Sequence, residues 1–114
     1  MGKARRLVPA CRVARVAIAT SESAPHIVLS GDIDLAVASE LREAGEKVAQ
    51  AVAPGRLEMD LSEVTFIDSS GLGALVAVHN YAKELGSTLV LLRAGPVVAR
   101  FFELAGVRDY FNIE

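Results

Sequence analysis

The chain has 114 residues, 52% of them hydrophobic and 23% charged, which suits one buried core, is too short for a second, and marks the chain as globular rather than disordered. Twelve basic residues against fourteen acidic ones leave a net charge of −2, so no basic field marks a nucleic-acid binder. The single cysteine, Cys11, excludes an internal disulfide, no Cys/His cluster suggests a metal, and a reducing cytoplasm is the expected setting.

Residues 1–12, with Lys3, Arg5 and Arg6, read as a basic and solvated lead-in, and residues 13–114 as a single domain. Leu7 to Cys11 faintly resembles a lipoprotein cleavage site. The apolar stretch before Cys11 is too short, however, and Arg12 and Arg15 follow it, so no secretory signal is expected. Nothing approaches the ~20 apolar residues of a membrane span, so no membrane insertion is expected. Val13–Ile18 alternates loosely and predicts a first strand. Ser21–Pro25 is turn chemistry, and His26–Ser30 reads as a second strand, the pair forming a hairpin. His26, beside the turn, reads as a surface residue.

Gly31-Asp32-Ile33-Asp34 leads into helix one, with Asp34 as its N-cap. Ala38, Leu41, Gly45, Val48 and Val52 trace a buried stripe, with Arg42, Glu43, Glu46 and Lys47 facing water. Pro54-Gly55 ends the helix. Arg56 to Leu61 alternates apolar and polar residues, a strand with one buried face. After the stretch Val64-Thr65-Phe66-Ile67-Asp68-Ser69-Ser70-Gly71-Leu72-Gly73, apolar and small residues recur at helical spacing (Gly71, Leu75, Val78, Ala82, Leu85). Helix two therefore runs from about Ser69 to Leu85 and stops at Gly86.

Asp68, Ser69 and Ser70 thus fall where a helix exposes its unpaired N–H groups. Side-chain oxygens cap there, and a phosphate is accommodated there by the N–H groups and the helix dipole. Ser70 is the expected capping partner. Gly71 and Gly73 are expected to permit close backbone approach. His79, Lys83 and Glu84 are expected on the solvated side of helix two.

Thr88–Leu92 reads as a strand covered on both faces. Pro96 opens helix three at its first turn. Phe101 and Phe102 are adjacent, so both cannot face the core. Gly106-Val107 closes the helix, and Tyr110–Ile113 forms a short edge strand or packs down. The alternation of helix and strand after the hairpin predicts an α/β fold: a small mixed, mostly parallel central sheet of four to five strands, with about three to four helices packed against it.

Catalysis is not expected. A serine hydrolase needs a base for Ser69 or Ser70, usually histidine; His79 lies more than two turns along the same helix. A Gly-x-Ser-x-Gly elbow and a phosphate-cradling Gly-x-x-x-x-Gly-Lys-Ser/Thr loop are both absent.

Phe66-Ile67-Asp68-Ser69-Ser70-Gly71-Leu72-Gly73, between a strand and a helix, resembles the signature of STAS domains of the anti-sigma-factor antagonist type. Gly31-Asp32-Ile33-Asp34 resembles the family's segment before its first helix, and Pro96–Val107 its third helix and cap. The resemblance runs from about Val13 to the C-terminus. It implies phosphorylation at Ser69, the serine after the aspartate. It also implies a partner surface around Asp32, Asp34, Asp68, Ser69, Ser70, Gly71 and Leu72. The implied partner is an anti-sigma factor serine kinase that uses ATP. The unmodified antagonist docks on it and frees the sigma factor; the phosphorylated form lets go until a serine phosphatase resets it. No cofactor, metal or direct nucleic-acid contact is implied. Asp32 stands where the family often has Glu. The competing expectation is a STAS subunit of a stress-signalling assembly or a lipid-transport complex, acting as a structural or sensory binding module.

Overall fold

The computed structural model describes residues 6–9, 16–20 and 25–114. In chain order the elements are β1 (Arg6–Pro9), β2 (Val16–Thr20), β3 (Pro25–Ile33), α1 (Leu35–Val52), β4 (Arg56–Ile67), α2 (Ser69–Glu84), β5 (Thr88–Leu92), α3 (Pro96–Ala105) and β6 (Asn112–Ile113). The strands form one sheet in sequential order, β1 to β6. β1–β2 and β2–β3 are antiparallel. The pairs β3–β4, β4–β5 and β5–β6 are parallel, each joined through a helix. The expected mixed, mostly parallel sheet is therefore present, with the edge strand at Asn112–Ile113. A sixth strand, β1, stands within the stretch read as a lead-in. Cys11, the basic residues at 3, 5, 12 and 15, and the turn residues 21–24 lie outside the described residues.

β4 is twice as long as its alternating pattern predicts, twelve residues rather than ending at Leu61. Ser62 and Glu63 break the alternation because the ladder to β3 shifts register there. Val28 pairs with Asp60 but Ser30 pairs with Glu63, and Gly31 pairs with Val64 but Asp32 with Phe66. Each shift leaves one extra residue in β4, as in a β-bulge. A positive φ of 74° at Gly31 lies between them, in the region only glycine enters freely.

One face of the sheet carries the core. Ile27 and Leu29 of β3, Leu57, Met59 and Leu61 of β4, and Leu89 and Leu91 of β5 join Val37, Leu41, Val48, Leu75, Val78, Val98 and Phe102 from the helices. The buried face of α1 is Val37, Leu41, Ala44, Gly45, Val48 and Ala49. Ala38 and Val52, expected in that stripe, are only partly buried. Leu41, Gly45 and Val48 hold their places. α1 and α2 pack so closely that a Cβ added at Gly45 would lie 2.4 Å from Val78 Cγ2. The opposite face holds Asp60, whose side chain is 4% exposed and receives Nη2 of Arg93 at 2.6 Å. Burial pushes this carboxyl upward, but hydrogen bonds from Arg93 and Ser62 outweigh it and hold Asp60 below the usual carboxylate range.

Helix ends follow the sequence closely. Pro96 begins α3, and Gly106 ends it in the left-handed conformation, φ 75°. The Val107 N–H returns to the Phe102 carbonyl at 3.0 Å. Phe102 is buried and Phe101 only partly so, as adjacency on a helix requires.

His79 departs from expectation. It is 9% exposed, its ring 4.8 Å from that of Tyr110 and 5.6 Å from that of Phe111. The C-terminal segment, returning to form β6, covers this side of α2. Lys83 and Glu84 remain exposed. Burial lowers the His79 pKa, and the charge of Lys83 adds to it. A base whose pKa is depressed by folding binds more protons when unfolded, so stability falls as pH drops below the unfolded histidine value, about 6.5. Urea unfolding between pH 7 and 5 is expected to show this loss. His79→Phe, which keeps an aromatic ring in place, is expected to flatten the slope over that range; an unchanged slope would assign the pH dependence elsewhere.

Candidate functional site

β3 and β4 run in parallel to one edge of the sheet. There Asp32 is opposite Phe66, and Ile33 opposite Ile67. Each strand passes into its helix through a single aspartate. Asp34 is extended (φ −120°, ψ −167°), and its Oδ1 accepts from the Ala36 N–H at 3.1 Å. Asp68 repeats this at α2 (φ −114°, ψ −172°), its Oδ1 accepting from the N–H groups of Ser70 at 2.9 Å and Gly71 at 3.0 Å. Capping of this kind is worth about 1 kcal/mol per helix. The Asp34 cap agrees with the sequence. At α2 the acceptor is Asp68, and Ser70 contributes only its backbone N–H. The Asp68 N–H also reaches the Ile33 carbonyl at 3.3 Å, tying the two strand ends together.

With the cap supplied by its neighbour, Ser69 is free of that task. It is the first residue of α2 and exposed. Its hydroxyl makes no hydrogen bond among the described residues. Ser70 is partly buried and lines the groove between α1 and α2, with Leu35, Ser39 and Arg42 across from it. Leu72 is partly buried against the core.

The two glycines of the stretch differ. A Cβ at Gly71 would lie 2.4 Å from the Ile33 carbonyl oxygen and 2.9 Å from Ile67 Cγ1, whereas one at Gly73 would meet nothing within 4 Å. Close approach explains Gly71 and not Gly73.

Around Ser69 the surface mixes acid and apolar groups. Asp32 is exposed, and its Oδ1 accepts from the Thr65 hydroxyl at 2.8 Å. Phe66 is 48% exposed and Leu35 75%. Phe66 pairs through its backbone at the strand end while its ring faces water. Leu35 was legible only as an apolar residue directly after a cap, out of phase with Val37 and Leu41. Asp32, Asp34 and Asp68 thus share one edge with Ser69, Ser70, Gly71 and Leu72. The histidines do not join them. His26 is near the opposite end of β3, and His79 is packed under Tyr110 and Phe111. Among the described residues no His/Cys/Asp/Glu group could hold a metal ion, and no helix is long and apolar enough to cross a membrane.

Comparison with known proteins gives concordant results. A family model described as "Mlab, STAS domain" matches residues 16–113. The anti-sigma-B factor antagonist of Listeria monocytogenes is 35% identical over 88 residues, covering 77% of this chain and 76% of that protein. The anti-sigma-B factor antagonist of Bacillus subtilis is 30% identical over 98 residues, covering 86% of this chain and 88% of that protein. Among solved structures, an anti-sigma factor antagonist from Mycobacterium paratuberculosis superposes with a TM-score of 0.72 at 26% identity, covering 86% of this chain and 82% of that one.

Proposed function

The chain belongs to the STAS domain family, and we propose that it serves there as an anti-sigma factor antagonist switched by phosphorylation at Ser69. The observation that carries this reading is the exposed hydroxyl of Ser69, without a hydrogen bond among the described residues, beside a cap made by Asp68. Such a hydroxyl can be modified without costing the helix its cap. The helix N-terminus accommodates the added phosphate, so the domain stays folded while its surface changes charge. The unmodified form docks on an anti-sigma factor kinase through Ser69 and the acid and apolar groups around it, releasing the sigma factor. The kinase transfers phosphate from ATP to Ser69, and a serine phosphatase restores the hydroxyl.

Incubation with the cognate anti-sigma factor kinase and ATP is expected to add the mass of one phosphate to the intact protein and none to Ser69→Ala. Equal labelling of Ser69→Ala would remove Ser69 from its role.

A second reading is a structural or sensory STAS subunit of a larger assembly. It draws support from the description of the matching family model, which names Mlab rather than an antagonist. The curated relatives from Listeria and Bacillus favour the first reading. A pull-down from native extract with and without ATP separates them: the antagonist's partner is released by ATP, a structural subunit's is retained.

A further inference from the structure

Beyond the Ser69 surface, α3 and the carboxyl ends of β5 and β6 enclose a second groove of about 470 Å³, within the range of small-molecule sites. We infer that this groove binds a small molecule with an anionic head and an apolar body. Its apolar lining includes Ala94, Pro96, Ala99 and Ile113, all at least partly exposed. Arg93, Arg100 and Arg108 line it as well. Arg100 and Arg108 form no ion pair among the described residues. Arg93 gives one nitrogen to Asp60 while its side chain stays 62% exposed, which leaves its other donors available. Of the two side-chain carboxylates in the lining, that of Glu114 is already engaged by Arg56, at 2.7 and 3.2 Å. Among the described side chains of the lining, Glu103 is the one acid left opposite Arg100 and Arg108, and the main-chain oxygen of Glu114 accepts from the Arg93 N–H at 3.0 Å.

In a chain of net charge −2 this is a local reversal of sign. Guanidinium groups match carboxylate and phosphate in planar, two-point hydrogen bonds, and the carbons of Pro96, Ala99 and Ile113 beside them suit an apolar body. The head is a carboxylate or a phosphate ester.

The test is a titration of the whole chain followed by amide NMR, with phenyl phosphate, phenylacetate, inorganic phosphate and benzyl alcohol as probes. Saturable shifts centred on Ala94, Ala99 and Ile113 are expected with phenyl phosphate or phenylacetate; the tighter of the two identifies the head group. Arg100→Ala with Arg108→Ala is expected to weaken binding about tenfold or more. The paired lysine variant should retain part of the affinity, and Ser69→Ala all of it, which keeps this site separate from the switch. Arg100 and Arg108 are exposed, so an unchanged spectrum without ligand will confirm that the variants fold. The inference fails if neither aromatic anion saturates, if the double alanine variant binds as wild type, or if inorganic phosphate or benzyl alcohol binds as well as the aromatic anions.

Discussion

Gly71→Ala is expected to destabilise the protein, and Gly73→Ala, two residues away on the same helix, to stabilise it. Alanine is the better helix former by about 1 kcal/mol, so propensity alone predicts a gain at both. At Gly73 the new methyl meets nothing within 4 Å, and the gain should be realised. At Gly71 it lands 2.4 Å from the Ile33 carbonyl oxygen, with Ile67 Cγ1 and Ile33 Cγ2 close behind. That oxygen cannot swing aside cheaply, because Ile33 is paired with Ile67 and its carbonyl accepts from the Asp68 N–H. Overpacking of this kind costs about 1–3 kcal/mol, sometimes more, which exceeds the propensity gain. For a domain of this size each kcal/mol moves Tm by about 4 °C. Thermal unfolding should therefore separate the two variants in opposite directions. Shifts of the same sign would refute the claim that α2 is pressed against the end of β3 at this glycine.

The largest effect on binding is expected from a charge at position 69. Ser69→Ala removes a hydroxyl that makes no hydrogen bond among the described residues, so stability should stay within about 0.5 kcal/mol of wild type and the docking surface should remain competent. Ser69→Glu places a carboxylate beside Asp32, Asp34 and Asp68, as phosphate would with its charge of about −1.5 to −2. Like-charge juxtaposition across an interface costs several kcal/mol, and about 1.4 kcal/mol is a factor of ten. Affinity for the anti-sigma factor is expected to fall between about tenfold and a thousandfold in Ser69→Glu relative to Ser69→Ala. Calorimetric titration at two salt concentrations checks both amount and cause, since exposed charges are screened within about 8–10 Å at ordinary ionic strength. Equal affinity of the two variants would exclude an electrostatic switch.

What could be read in advance follows a physical divide. Features dictated by neighbours along the chain were legible. Asp34 caps α1, Pro96 starts α3, Gly106 ends it, and the strand–helix alternation sets a mostly parallel sheet. Features dictated by distant chain were not. His79 is a polar residue on the flank of the α2 stripe, four after Leu75 and three before Ala82, and its burial is completed by Tyr110 and Phe111, which come back to cover it. The end of β4 was concealed by two register shifts against β3, which scramble the alternation a strand is recognised by. Asp68 and Ser70 both carry capping oxygens, and only the backbone geometry at Asp68 decides between them. Gly71 and Gly73 are alike in sequence and differ only in what lies across from each. Leu35 and Phe66 were visible as apolar residues, but their exposure depends on which way the edge of the sheet faces.

Leu35 and Phe66 expose much of their side chains while the scaffold beneath them is locked by Gly45 against Val78 and Gly71 against Ile33. Duplicated copies can therefore drift at positions 35 and 66 with little penalty to folding. Under the docking role proposed for this edge, partner choice can therefore change at the rim without a change of scaffold.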